Sequence, residues 1–314
     1  MAAARRCPHL DDVLDVPLPS VRAGASTGGA WRSEARRAAA RLADAFDAAI
    51  IVRPDDPWSG KLVSAAAIPV RVGFDMPRTR PWLTDVLPRP SEQHVALDGF
   101  DLADALLDRL GVRARTERVL EPSFVPARQD EEEAERVLAA VGADREAIVL
   151  HPGSGWALKN WPIRKWRGLV LELAASFGTT LLVAGTAAEA PLVRAVAAAT
   201  PALDLAGCLS LGALAAVHRS ARLVVTTDSG ALHLAAAMDV PVVGLFGPVD
   251  PRLFAPLASP RRIRIVRAGL PCSPCGTLEH PPCGAVVAPA CMRGIQVPDV
   301  VRAAAELLAE ASAL

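Results

Sequence analysis

The sequence predicts an α/β protein with parallel sheets, built as two units. Short β-branched runs alternate with longer Ala/Leu/Arg segments of helical spacing, the pattern of strand–helix–strand units. A length of 314 residues suits two domains of about 100–200 residues, each large enough to bury its own core. A stretch at 117–133 carries Pro122 and Pro126 and then an acidic run, so it reads as a junction between domains 1–126 and 127–314.

Taken in order, strands are expected at 13–16, 49–53, 147–151, 179–184, 222–226, 241–246 and 263–266. The runs at 147–151 and 241–246 are almost wholly apolar, as strands covered on both faces are. Helices are expected at 33–46, 97–110, 164–177, 188–199, 211–219, 231–238 and 299–311, where apolar positions recur at helical spacing. Asp130, Glu131, Glu132 and Glu133 suit a helix first turn, where negative charge meets the positive end of the dipole. The last helix is amphipathic enough to pack on a domain and needs no membrane role.

Composition excludes some function classes. Thirty-four basic residues balance 34 acidic ones, which argues against a protein that holds nucleic acid through phosphate electrostatics. No apolar run reaches the roughly 18 residues of a membrane span, and the start has no signal-peptide core, so a cytoplasmic protein is expected. Lysine is scarce: Lys61, Lys159 and Lys165 stand in a chain that otherwise uses arginine.

Four strand-to-helix turns carry the candidate chemistry. Ala147 to Pro162 runs from a strand through Gly153, Ser154 and Gly155 to Lys159, with Pro162 suited to the first position of a helix. Glycines there let a ligand approach the backbone, and Lys159 supplies a mobile point charge for a phosphate. An ordinary turn with a solvent-facing lysine fits this segment about equally well. The second turn is Thr226-Thr-Asp-Ser-Gly-Ala-Leu-His233, in which Thr227, Asp228 or Ser229 can cap a helix whose first N–H groups would form an anion site. His233 could add a donor there; alone, it would read as a structural histidine among alanines. The third turn follows the strand that ends in Leu-Phe-Gly-Pro-Val-Asp-Pro251. The fourth, Gly185 to Glu189, offers Glu189 as an acceptor for ribose hydroxyls or as a plain helix-start glutamate. Such turns leave one sheet edge and can converge on one crevice.

Together these segments resemble glycosyltransferase family 9, whose best-known members are the ADP-heptose:lipopolysaccharide heptosyltransferases. His-Pro-Gly-Ser-Gly through Lys-Asn-Trp-Pro is similar to the family's Pro-Gly-(Ala/Ser) and Lys-x-Trp-Pro stretch, and Asp-Ser-Gly-Ala-Leu-His to its Asp-(Thr/Ser)-Gly-x-x-His signature. Positions 49–53 and 68–74 look like a strand and an arginine-glycine turn of the family's N-terminal half. The resemblance implies a GT-B architecture of two Rossmann-like domains, the C-terminal one binding the nucleotide-sugar donor. It assigns Lys159 to the pyrophosphate, Glu189 to ribose, Ser229, Gly230 and His233 to the phosphates, Asp228 mainly to the shape of the turn, and adds Ser154 to the donor-binding set. It implies inverting transfer of a sugar, heptose before others, from a donor such as ADP-heptose to a lipopolysaccharide-type or related glycan acceptor, without metal or other cofactor. Glycan or glycolipid is then the partner, nucleic acid is not, and peripheral contact with the inner-membrane surface stays open.

The family's acceptor-side base is an aspartate in a Gly-Asp-x-(Val/Ile) loop directly after the first strand, and this sequence carries no such loop. Its opening, Cys7 to Val16, resembles a later strand, so the N-terminal domain is expected to be incomplete. The role does not transfer to Asp11 or Asp12, and no catalytic residue is assigned. A start codon set too far downstream is one explanation; a truncated homologue that binds nucleotide sugar without turning it over is the other.

Two features stay outside the motifs. Arg78 and Arg80, with Arg71, flank a proline-rich turn and could meet an anionic acceptor, although solvated loop arginines are the slightly favoured reading. Cys272, Cys275, Cys283 and Cys291, with His280 among them, offer enough ligands for tetrahedral zinc, while a reduced structural segment or redox-labile disulfides are favoured.

Overall fold

A computed structural model describes residues 4, 7, 10–14, 16, 29–113, 124–143 and 146–312. The chain forms two compact units, one of residues 13–120 and one of residues 121–314 together with 1–12.

In the unit of residues 13–120, α1 (Gly29–Leu42) precedes β1 (Ala48–Ile51), α2 (Pro57–Ala65), β2 (Val70–Phe74), β3 (Asp85–Leu87) and α3 (Val95–Arg109). The strands are parallel in the order β1-β2-β3, with Ala48 opposite Val70 and Val72 opposite Asp85. Helix α2 starts where the sequence allows it: Asp56 accepts hydrogen bonds from the Trp58 and Ser59 N–H groups, and Pro57, which has no N–H to satisfy, takes the first position. Ile51, Leu62, Val63, Ala66 and Ile68 form one small core, and Val72, Phe74 and Leu102 another.

The larger unit opens with α4 (Arg128–Val141) and continues through β4 (Ile148–His151), α5 (Ile163–Phe177), β5 (Leu181–Gly185), α6 (Ala190–Ala197), β6 (Leu203–Ala206), α7 (Leu211–Ser220), β7 (Leu223–Thr227), α8 (Gly230–Ala237), β8 (Val242–Leu245), α9 (Pro251–Phe254), β9 (Ile263–Val266), α10 (Ala290–Arg293) and α11 (Val297–Ser312). Its six strands are all parallel, in the order β6-β5-β4-β7-β8-β9. Strand order reverses between β4 and β7, and this switch point opens a crevice at the carboxyl ends of the strands. Alternate residues of each strand face opposite layers. Ile148, Leu150 and Val225 pack with Trp166, Val193 and Leu307, whereas Val149, Leu182 and Val224 pack with Leu138, Ala213 and Leu232. Gly142 and Gly178 end α4 and α5 with φ of 67° and 57°, the left-handed conformation glycine adopts without strain.

Some expectations change. No strand forms at 13, 14 or 16, and neither sheet includes a strand from this segment; Asp15 lies outside the described residues, as does 117–123 of the expected junction. Strands β2, β3 and β6 and helix α2 were not expected. Among the described residues no helix is long and apolar enough to cross a membrane.

Candidate functional site

The site grows from the turns after β4 and β7, the two strands beside the switch point. After β4 the chain passes Gly153 and Ser154 into a 3-10 turn at Ala157–Lys159. The Ser154 hydroxyl is used inside this loop, 2.6 Å from the Trp156 carbonyl and 2.9 Å from Asn160 Oδ1. Pro162 stands one position earlier than expected, as the residue before α5. From the 3-10 turn, Lys159 reaches across the switch point and donates to Asp228 Oδ2 at 2.8 Å and to the Asp228 carbonyl at 3.2 Å. The pair is enclosed, with the lysine side chain 16% and the aspartate 7% exposed.

In this pairing Asp228 ties the turn after β7 to the turn that carries Lys159. It does not cap α8: Ser229 holds the N-cap position without a side-chain bond to the helix, and its Oγ lies 3.2 Å from Thr226 Oγ1. The first turn of α8 therefore keeps its positive end uncapped by side chains. A Cβ at Gly230 would meet nothing within 4 Å, so open space lies over this helix start, and His233 is exposed in the same turn.

Two more contacts draw the turns together. Thr227 donates its hydroxyl to the Gly153 carbonyl at 3.0 Å. Glu189, which follows β5, accepts from the Thr186 N–H at 2.9 Å and the Thr186 hydroxyl at 2.8 Å, closing a capping box. Its carboxylate lies so close to Gly153 that a Cβ there would fall 2.5 Å from Glu189 Cδ. Beyond β8, Asp228 N–H bonds the Leu245 carbonyl at 3.1 Å, and Asp250 caps α9 while Arg252 holds its carboxyl below the usual carboxylate range. The turns expected to converge thus meet at one edge.

Behind Gly153 lies a feature the sequence did not expose. His151, the last residue of β4, is buried, with Nε2 3.8 Å from Glu189 Oε2. His218 of α7 is fully enclosed. Burial pushes the His218 imidazole down to about 3, and the neighbouring His151 pushes it the same way. Burial also lowers His151, against the pull of Glu189. Among the described residues, His151 Nδ1 and both His218 nitrogens have no hydrogen-bond partner.

In the other unit, Arg71 is structural: Nε donates to the Trp82 carbonyl at 2.7 Å and Nη1 to the Ile68 carbonyl at 2.6 Å. Arg78 and Arg80 are exposed and face Asp55 at 3.4 Å and Asp75 at 2.5 Å. Lys61 lies over Trp58 and Trp82, 4.6 and 5.5 Å from the ring centres, a cation–π arrangement no motif announced. Among the described residues, no three His, Cys, Asp or Glu side chains are grouped to hold a metal ion.

Residues 36–281 match the model of glycosyltransferase family 9 (heptosyltransferase). The chain belongs to glycosyltransferase family 9. Lipopolysaccharide heptosyltransferase 1 of Pseudomonas aeruginosa is 36% identical over 128 residues, 41% of this chain and 35% of that protein. The chain thus spans about a third of the length of that relative. Its fold is that of solved heptosyltransferases, α/β with parallel sheets as the resemblance implied. The Escherichia coli ADP-heptose lipopolysaccharide heptosyltransferase II superposes with a TM-score of 0.71 at 21% identity, covering 90% of this chain and 82% of that one. The E. coli heptosyltransferase WaaC, solved with ADP, superposes with a TM-score of 0.61 at 20% identity, covering 90% and 80%. In this family 9 chain, Lys159, Glu189, Asp228, Ser229, Gly230 and His233 all lie on the turns at the carboxyl edge of the larger sheet.

Proposed function

We propose that the protein is an inverting glycosyltransferase that passes a sugar, heptose first among candidates, from a nucleoside-diphosphate donor such as ADP-heptose to a lipopolysaccharide core or related glycan. The observation that carries this reading is the meeting of Lys159 with the Asp228 turn below the open start of α8. The two turns bring an ammonium, an exposed imidazole and a helix N-terminus to one sheet edge, a combination suited to a diphosphate. Lys159, Ser229, Gly230 and His233 would hold the two phosphates and meet the charge that develops as the nucleoside diphosphate departs. Glu189 would accept hydrogen bonds from ribose, held in place by Thr186. Ser154 would shape the loop beneath the donor. Arg78 and Arg80, on the other unit, would meet an anionic acceptor, and the base that deprotonates the acceptor hydroxyl is unassigned. This reading places the enzyme in the cytoplasm, against the inner-membrane surface where a glycolipid acceptor resides.

Similarity to a heptosyltransferase solved with ADP supports the choice of nucleotide. Calorimetry with ADP and ADP-heptose, followed by a transfer assay with a lipopolysaccharide acceptor, tests both halves of the proposal. Saturable binding with transfer is expected. Binding without transfer would favour the alternative, a nucleotide-sugar-binding homologue, and failure to bind either ligand would overturn both.

A further inference from the structure

The four clustered cysteines share one small pocket. Cys272, Cys275, Cys283 and Cys291 line an apolar cavity of about 60 Å³ with Leu158, the residue before Lys159. Cys272 and Cys283 are exposed, Cys275 is half-buried and Cys291, in α10, is buried. A Cβ at Gly247 would fall 3.2 Å from Cys291 Sγ, so the Cys291 thiol lies beside the turn after β8 to which the Cys275 segment is also bonded.

The segment bridges two of the turns already described. Near its start, Ser273 Oγ donates to the Gly247 carbonyl at 2.5 Å and the Gly276 N–H to the Pro248 carbonyl at 2.8 Å, which fixes Cys275 to the turn after β8. Near its end, the Ala288 N–H donates to the Ala157 carbonyl at 3.3 Å, in the 3-10 turn that carries Lys159. Ala288 makes that contact with φ of 38°, in the left-handed region that an alanine occupies only when its surroundings hold it there. The Lys159 turn is thus propped by a segment whose two ends carry thiols facing one cavity.

We propose that Cys275 and Cys291 form a reversible disulfide that fixes this prop beneath Lys159, so that thiol oxidation tightens the nucleotide site. The oxidant is a small-molecule disulfide such as glutathione disulfide. The half-buried Cys275, as thiolate, attacks one sulfur of the oxidant and releases one thiol, leaving a mixed disulfide. Cys291, as thiolate, attacks the Cys275 sulfur and releases the second thiol. Two protein thiols lose two electrons and two protons, and the oxidant leaves as two thiols. The new bond closes the segment that contains Ala288, removing freedom the Lys159 turn would otherwise lose on binding. The effect on nucleotide affinity rests on the donor-site reading above; disulfide formation does not.

The test uses the whole protein equilibrated in glutathione buffers of rising potential, quenched with an alkylating agent, mapped by peptide mass and titrated with ADP. Oxidation is expected to protect two of the four thiols and yield a Cys275–Cys291 linked peptide. ADP affinity should rise by at least about fivefold, the lower end of ordinary coupling between sites. Both C275S and C291S should keep the ADP affinity of the reduced protein and lose the response; C275S covers the case in which the buried Cys291 variant fails to fold. Cys272, Cys275, Cys283 and Cys291 all alkylatable throughout, a linked peptide joining another pair, or equal ADP affinity in both states would overturn the proposal. If the reduced protein binds no ADP, the donor-site reading falls and the peptide map alone decides the disulfide.

Discussion

Replacing Lys159 by methionine separates two jobs one side chain does. The Lys159–Asp228 pair, 16% and 7% exposed, lies between exposed pairs worth about 0–1 kcal/mol and buried pairs whose severing costs about 3–5 kcal/mol. Methionine fills the space of the stem but leaves an enclosed carboxylate without its cation, so K159M should destabilise the protein by about 2–3 kcal/mol. For a unit of this size that is a fall of about 4–12 °C in Tm. If the ammonium also meets a diphosphate, K159M loses a charged hydrogen bond worth about 1.5–3 kcal/mol, which is about 10–150-fold in the Kd for ADP. The double variant K159M/D228N removes the stranded charge. Its melting temperature should return to within a few degrees of wild type while ADP affinity stays at the K159M level. Differential scanning calorimetry and ADP titration of the three proteins read both quantities. Recovery of ADP affinity in the double variant would show that Lys159 is only a strut, and an unchanged melting temperature in K159M would show that the pair carries no stability.

Gly153→Ala places a Cβ against Glu189 and should break the two Thr186 contacts, costing about 1–3 kcal/mol and weakening ADP and adenosine alike; thermal melts and competition binding check it. His218 is held neutral in the fold, with a pKa of about 3 against an ordinary value of 6.5. Between these pH values the unfolded chain binds more protons, so the stability His218 contributes is complete above about pH 6.5 and is lost as the pH falls towards about 3, with a slope of at most about 1.4 kcal/mol per pH unit. His218→Leu should flatten that acid limb in denaturant titrations and leave stability near pH 7.5 equal or higher; an unaltered acid limb would count against it. Arg71→Ala should destabilise the protein by about 1–3 kcal/mol, because two backbone carbonyls lose their donor. Arg78→Ala and Arg80→Ala should stay within about 0.5 kcal/mol, and urea melts distinguish the two outcomes.

What the sequence disclosed follows a physical line. Strands β4, β7 and β8 are covered on both faces, so their apolar runs are continuous and stand out against the polar turns that end them. Of the strands that escaped, β3 and β6 are short and lie at sheet edges, while β2, central in its sheet, falls in the 68–74 run that reads as a turn. β3 has three residues, and β6 ends the larger sheet with Asp204 exposed and bonded to its own backbone at Ala206, which reads locally as a turn. At the site, motif and spacing identified Lys159 and Asp228 separately, but their pairing spans 69 residues and depends on strand order, which a linear pattern does not carry. The same limit explains the histidines. His151 was visible as the residue before Pro-Gly, and His218 as one residue of a helix; only the register of β4 against α7 makes them buried neighbours behind Glu189. Glu189 shows the consequence most directly. Read from sequence, it had two meanings, a helix-start glutamate or a ribose acceptor. The structure shows the first, as a capping box with Thr186 that fixes the carboxylate against Gly153, at the edge where the Lys159 and Asp228 turns meet. A residue that closes a turn in this way is already ordered before any ligand arrives, so binding would have less side-chain freedom to remove there.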